Sequence, residues 1–331
     1  MCIANYNGED YLQDCLNSVL SQNFDKPIEI IVHDDASTDG SVQLLKDSYP
    51  SIIIIKSKEN AGFCVSNNRM VSIARGKFIL LLNNDAKLHT DAISTLYNAS
   101  IENGDGIYGL PQYDMHSDTL IDMGCFLDPF LNPVPNKDPQ YQDVGMIIGA
   151  CLWIPRSLWN FFGGFPDWFG SIAEDMYLCL IARLSGYNVK VVPYSGFDHW
   201  IGKSFGGGRI TSQNKLSTKI SRRAISERNK TYVMLICCPS PIIFLIFPLH
   251  ILNLIGEGTV LSIVKQKMNI WTDVYLRCFI EVWKQRKRIY HLRKSVQETR
   301  QCSLKEFFKH QRWLPYKLSM LIKHGMPQVN P

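Results

Sequence analysis

Six acidic or imidazole side chains stand at the ends of apolar runs or at the start of one, and their types fit group transfer to or from a phosphorylated sugar. Glu174 and Asp175 open "AEDMYLCLIARLSG". Acids in the first turn of a helix complement its dipole and its unpaired N–H groups, which is a purely structural role. A carboxylate held there also stays ionised, as a general base must. The preceding "FPDWFGS" is aromatic and suits the face of a sugar ring. Asp85 ends "LLLNNDA". Mg²⁺ and Mn²⁺ take one or two carboxylates plus substrate phosphates and water, so Asp85 with His199 of "SGFDHW" would make such a sparse site. Asp34 and Asp35, closing "IEIIVHDD", suit hydrogen bonds to a base or ribose, and Tyr6 has a ring that stacks on a base. Each of these also has a bland role as turn or cap, and Asp39 and Ser41 of "STDGS" are read that way. The loop "IGKSFGGGR" carries Lys203 and Arg209 among glycines. Glycine lets backbone N–H groups approach an anion, so a diphosphate loop is expected there.

The elements that must position these groups alternate. "CIA", "IEIIVHD", "SIIIIKS" and "KFILLLNN" are apolar strands. Helices follow the first three, and the first of them puts Leu12, Cys15, Leu16 and Val19 on one face. Uniformly apolar strands alternating with helices predict a mostly parallel sheet covered on both sides. Ligands then bind beyond the carboxyl ends of the strands. Those ends are Asn5–Tyr6–Asn7, Asp34–Asp35 and Asn83–Asn84–Asp85, three polar clusters on one rim. Residues 105–150, rich in Gly, Pro and Asp, read as a long loop. A helix from about Ala173 to Ser185 and a strand over 188–192 follow.

The 331 residues are 46% apolar and 20% charged, enough for a sizeable core and against wholesale disorder. Charge is unevenly spread. Residues 1–230 hold 20 Lys+Arg against 25 Asp+Glu, 231–256 hold none of either, and 257–331 hold 15 against 5. The ten cysteines form no C-x-x-C pair and lie in apolar runs, so reduced thiols in a cytosolic setting are expected. No signal peptide is read, because Met1 leads straight into a strand.

In order, the runs "IANYNGEDYLQDCLNSVLSQ", "EIIVHDDASTDGSVQLL", "ENAGFCVSNNRMVSIARGKFILLLNNDA" and "AEDMYLCLIARLSGYNVKVVP" resemble the family 2 glycosyltransferases of GT-A fold over roughly residues 1–230. The resemblance implies inverting transfer of a sugar from a nucleotide-sugar. It implies that Tyr6 and Asp34 contact the nucleobase and that Asn84 lies near the ribose. Asp85 would be the metal-binding acid, Asp175 the catalytic base with Glu174 in support, and His199 a metal or phosphate contact. Asn7, Asp35, Gly62, Lys203 and Arg209 complete the expected nucleotide-sugar contacts. Met70 stands where the family commonly has Gly, and Tyr177 where it often has a second acid. Members usually carry several more residues before the first strand, so a trimmed or mis-assigned start is expected.

The expected architecture is an α/β GT-A domain over 1–230 and a membrane-associating helical tail over 231–331. Twenty-six uncharged residues from Thr231 to Gly256 exceed the ~20 that span a bilayer. Pro239, Pro241 and Pro248 argue against one straight span, so in-plane or hairpin contact ranks first and a buried core helix last. The basic, Trp-bearing helix that follows suits an anionic membrane surface, and no base-reading motif favours nucleic acid. The expected partners are a nucleotide-sugar, a saccharide or lipid-linked acceptor, and the cytoplasmic face of a membrane; the similarity of "LLLNND" and the tail to rhamnosyltransferase-like members implies dTDP-rhamnose ahead of other dTDP- or UDP-hexoses. The tail also resembles that of family members that build cell-surface polysaccharide on lipid-linked acceptors, which implies such a product here. A nucleotidyltransferase would want a basic, Gly-rich N-terminal phosphate loop, whereas "NYNGED" is acidic. A non-catalytic nucleotide- or sugar-binding protein is the other alternative, and Asp175→Asn would separate it from an enzyme.

Overall fold

The computed structural model of the protein describes residues 1–200, 209–210 and 216–330. The chain divides into two compact units. One comprises 1–125, 135–183 and 187–200, the other 126–134, 184–186 and 201–331.

The first unit alternates strands and helices: β1 (Cys2–Asn5), α1 (Glu9–Leu20), β2 (Ile31–Asp34), α2 (Ser41–Ser48), β3 (Ile53–Lys56), α3 (Phe63–Ile73), β4 (Phe78–Asn83), β5 (Ala86–Leu88) and α4 (Ala92–Asn103). Short strands follow, β6 (Gly106–Gly109), β7 (Gln112–Asp114) and β8 (Leu120–Asp122), while β9 (Cys125–Leu127) and β10 (Pro133–Pro135) lie mostly in the second unit. Then come β11 (Cys151–Pro155), α5 (Arg156–Phe162), α6 (Glu174–Leu184), β12 (Asn188–Val191) and β13 (Phe197–His199). Residues 105–150 are therefore not one long loop. Strands of three or four residues between Gly, Pro and Asp are too short to show a period in sequence.

The main sheet has the order β12-β6-β11-β4-β1-β2-β3. β3, β2, β1 and β4 run parallel to one another, and β11 lies antiparallel to β4 and β6. Strands β1, β2 and β4 are buried along almost their whole length, as double-sided cover requires. Helix α1 buries Leu12, Cys15, Leu16 and Val19 against Ile3, Val32 and Leu82 of the sheet core. The chain winds outward from β1 to β3 and returns to β4 on the other side of β1. That reversal opens a crevice at the carboxyl ends of β1 and β4. A second sheet, β5-β13-β7-β8, carries Asp114, Asp122 and His199.

The second unit contains β14 (Arg209–Ile210), β15 (Leu216–Lys219), α7 (Ile220–Cys237) and α8 (Ile243–Lys265). A helix then runs from α9 (Met268–Ile270) through a π-helical turn (Trp271–Leu276) into α10 (Arg277–Glu298), followed by α11 (Leu304–Lys309), α12 (Tyr316–His324) and β16 (Gln328–Asn330). Position 230 lies inside α7. The uncharged stretch is shared between two helices, because Thr231 to Cys237 closes α7 as a buried segment while α8 begins at Ile243. Pro239 and Pro241 occupy the joint. Pro248, the sixth residue of α8, sits within the helix without ending it. Among the described residues, α8 is the one helix long and apolar enough to cross a membrane. Its 23 residues rise roughly 34 Å.

Beneath these helices lies a buried ionic cluster. Lys317 Nζ is 2.7 Å from Glu227 Oε1 and 2.8 Å from Glu257 Oε2. Lys230 is 3.1 Å from Glu227 and donates to Asn132 Oδ1 at 2.6 Å. Arg223 pairs with Glu257. Burial pushes the Glu227 carboxyl up, but Lys230, Lys317 and Arg223 together outweigh it and hold it well below the usual carboxylate range.

Candidate active site

The three polar strand ends meet at the crevice. Register places Asn5 beside Asp34, and Ala4 beside Asn83. Asn5 Nδ2 donates to Asp34 Oδ1 at 3.1 Å, and Asn84 Nδ2 donates to Asn5 Oδ1 at 2.8 Å. The rim is thus zipped Asn84–Asn5–Asp34 across β4, β1 and β2. Gly8 permits the closure, since a Cβ there would stand 2.1 Å from Asn84 Nδ2 and 2.3 Å from Asn5 Oδ1. Tyr6 projects from this rim, about half exposed. Asn7 adopts φ 49° and accepts the Thr38 N–H at 2.8 Å, tying the β1 and β2 loops together.

Asp35, buried, accepts the N–H groups of Ala61 and Gly62 at 2.7 and 2.8 Å, one on each carboxylate oxygen. Gly62 sits at φ 89° and ψ 163°, a conformation that essentially only glycine adopts. A Cβ there would also come 3.3 Å from the Gly170 carbonyl oxygen. Asp35 and Gly62 thereby set the start of α3 and bring it to the aromatic loop before α6.

That loop is strained where it enters α6. Ile172 and Ala173 both have positive φ, 69° and 68°. For a β-branched residue this is a true outlier, and such strain clusters at functional sites. The helix then starts with Glu174, buried, and Asp175. Asp175 Oδ2 accepts the Gly149 N–H at 2.9 Å, and Oδ1 accepts the Met176 N–H at 2.7 Å. The next residue, Ala150, accepts the Asn83 N–H at 3.0 Å. Two consecutive residues therefore join the carboxylate of Asp175 to the end of β4.

Asp85 is 3% exposed. Its Oδ1 lies 3.0 Å from His199 Nε2, and its carbonyl accepts the Trp200 N–H at 3.1 Å. Pairing of β13 with β5 sets His199 opposite Ala86, which makes this approach a consequence of strand register. Two ligands in adjacent corners of an octahedron with ~2.1 Å bonds stand about 3.0 Å apart, so Asp85 Oδ1 and His199 Nε2 fit one edge of a Mg²⁺ or Mn²⁺ site. Among the described residues no group of three or more His, Cys, Asp or Glu is placed to hold a metal ion. The remaining corners of such a site would fall to substrate phosphate and water, the usual arrangement for these ions.

Residues 1–161 match the sequence model of Glycosyl transferase family 2. This part of the chain belongs to that family. A poly(ribitol-phosphate) beta-glucosyltransferase of Bacillus spizizenii is 36% identical over 103 residues, which are 30% of this chain and 16% of that protein. The chain therefore matches only a small part of that relative's length. The solved structure of S. aureus TarS 1-349 in complex with UDP-GlcNAc superposes with a TM-score of 0.56 at 16% identity, covering 90% of each chain. GalNAc-T7, solved with UDP, GalNAc and Mn²⁺, superposes with a TM-score of 0.56 at 15% identity over 71% of this chain and 47% of its own. These likenesses establish the GT-A fold.

Tyr6, Asn7, Asp34, Asp35, Gly62, Asn84 and Asp85 lie on the β1, β2 and β4 side of the crevice. Asp175 is tied to the end of β4 through Gly149 and Ala150, and His199 through its pairing with β5, while Glu174 is buried at the start of α6. Lys203 lies outside the described residues, and of Arg209 only the backbone, in β14, is described. Sequence reading missed Gln112 and Asp122, since both lie in the run read as loop. Gln112 Nε2 is 3.1 Å from His199 Nδ1, and Gln112 pairs in register with Asp122.

Burial pushes the Asp122 carboxyl up to about 7, with the Gly124 N–H, His199 and Lys137 pulling back only in part. The folded state therefore holds the proton more tightly than the unfolded chain does. Asp122 has no effect on stability below its ordinary value near 3.8, and its destabilisation grows from there to about 7 and then levels. Asp122→Asn should raise the melting temperature at pH 8 and leave it nearly unchanged at pH 4. Equal shifts in thermal scans at the two pH values would contradict this.

Proposed function

We propose that the protein is an inverting glycosyltransferase that moves a hexose from a nucleotide-sugar to a saccharide or lipid-linked saccharide acceptor in cell-surface polysaccharide assembly. The observation that carries this reading is the convergence of the Asn84–Asn5–Asp34 rim, the Asp85–His199 edge and the Asp175 carboxylate on one crevice. Tyr6 and Asp34 receive the base, and Asn84 turns from Asn5 to a ribose hydroxyl without adding charge near the diphosphate. Asp85 and His199 would hold the divalent ion, which supplies positive charge to the departing diphosphate. Asp175 takes the acceptor hydroxyl proton while that oxygen bonds to the anomeric carbon and the bond to the nucleotide diphosphate breaks on the opposite face. The base and the leaving-group site stand at opposite ends of the reacting bond, which gives inversion.

The donor in this reading is a dTDP- or UDP-hexose, with dTDP-rhamnose first. The second unit would rest on the cytoplasmic face of the membrane. Support comes from Phe244, Leu245, Leu249, Leu252 and Ile263 of α8, all more than half exposed, and from the exposed Trp283, Lys284, Arg286, Lys287 and Arg288 of α10.

A direct test offers the purified chain a panel of nucleotide-sugars with Mn²⁺ and a lipid-linked acceptor, reading nucleotide diphosphate release. Release with one donor is expected, and Asp85→Ala should lose the dependence on added cation. No release across the panel would sink the enzymatic reading. Flotation with anionic and neutral vesicles tests the membrane placement, which fails if the protein stays at the bottom with both.

A further inference from the structure

His199 sits between a carboxylate and two amides. Its Nε2 faces Asp85 Oδ1 at 3.0 Å and Asn83 Nδ2 at 3.4 Å, and its Nδ1 faces Gln112 Nε2 at 3.1 Å. Gln112 is 4% exposed and pairs with Phe197 of β13 in parallel register. Among the described residues its Oε1 is buried without a hydrogen-bond partner. A stranded buried carbonyl costs about 1–3 kcal/mol, so its presence next to a site needs a physical account.

The account lies in the two tautomers of imidazole. A neutral ring carries one N–H. With Asp85 accepting from Nε2–H, Nδ1 can only accept, and the amide must offer its NH₂ end. That orientation strands Oε1. A cation on the Asp85–His199 edge instead needs the Nε2 lone pair, which moves the ring proton to Nδ1. The amide then fits by turning Oε1 toward Nδ1–H. The Nε2 proton leaves to water and Nδ1 takes one from water, so the ring's charge is unchanged. Glutamine holds a donor and an acceptor at the same reach. Leucine, methionine and glutamate do not.

We propose that Gln112 is a positioning residue that serves both tautomers of His199, donating to Nδ1 without a cation and accepting from Nδ1–H with one, and so prepares the ring as a ligand. The second half rests on the reading of Asp85 and His199 as a cation edge. The first half does not.

Long-range ¹H–¹⁵N correlation spectra of the full chain, with His199→Gln assigning the ring, report the tautomer directly. The wild type should show Nε2–H alone, and Nδ1–H after Mg²⁺ and UDP are added. Gln112→Leu should keep Nε2–H without a cation, because Asp85 still accepts it, and bind Mn²⁺ with UDP roughly 10-fold or more weakly by paramagnetic resonance, because Nδ1–H then lacks its acceptor. Gln112→Glu, which faces Nδ1 with an acceptor only, should place a proton on both ring nitrogens without a cation. It also serves if the leucine variant fails to fold. A metal-free Gln112→Glu spectrum identical to wild type, or unchanged Mn²⁺ affinity in Gln112→Leu, overturns the proposal. A wild type that binds no Mn²⁺ with UDP overturns the cation reading and the second half, and the metal-free spectrum of Gln112→Glu then decides the first half alone.

Discussion

Asp175→Asn should lower sugar transfer by roughly 10²–10⁴-fold, the usual share of a positioned general base, while donor affinity stays within a few fold. Both carboxylate oxygens of Asp175 accept backbone N–H groups, from Gly149 and Met176. An amide has one oxygen, so one of these donors would meet an NH₂ group. A stability loss of about 1 kcal/mol is therefore expected alongside the kinetic loss, and it should be measured separately by denaturant titration. Nucleotide binding, read by calorimetry, separates a missing base from a collapsed crevice. A variant that keeps a tenth or more of wild-type transfer would remove Asp175 from the role of base. It would leave the residue as the brace that fastens α6 to Gly149. Retained donor binding with transfer abolished is the pattern that only a chemical role produces.

The largest expected change in stability lies elsewhere, at Glu227. Removing its charge by Glu227→Gln takes the 3.1 Å carboxylate contact from buried Lys230 and leaves Lys317 with Glu257 alone of its two carboxylates. Breaking a buried ion pair in this way typically costs about 3–5 kcal/mol. The carboxyl is held below its ordinary value near 4.5, so it contributes stability above that value and loses it as pH falls toward the folded value. The difference between Glu227→Gln and wild type should therefore be full at pH 7 and shrink below about pH 4. Urea titrations at the two pH values measure it. Adding Lys230→Met to Glu227→Gln should recover part of the loss, because the variant then buries one uncompensated charge fewer. A loss under 1 kcal/mol at pH 7 would show that water already reaches the cluster.

The parallel core was legible because each of its features is local. Uniformly apolar strands, the spacing of Leu12, Cys15, Leu16 and Val19, and polar strand ends are properties of contiguous segments. The order of those segments alone predicted that Asn5, Asp34 and Asn84 would share a rim. The short strands between 105 and 150 were not legible, because three residues are less than two periods of a pleat and their pairing depends on partners far along the chain. Gln112 and Asp122 were lost with them.

What the sequence determined by itself was the kind of groups available and the edge at which strands deliver them. The tertiary structure decided their pairings. Asn84 hydrogen-bonds Asn5 across 79 positions, and His199 meets Asp85 across 114. Asp175 reaches β4 through Gly149 and Ala150. The same division holds in the second unit, where the uncharged stretch was plain but its split between a buried α7 end and an exposed α8 was not. Composition reports what a segment can bury, and only the packed neighbours report what it does bury. A hydrogen bond or an ion pair depends on distance in space, and the chain sets that distance only once the sheet has fixed its register.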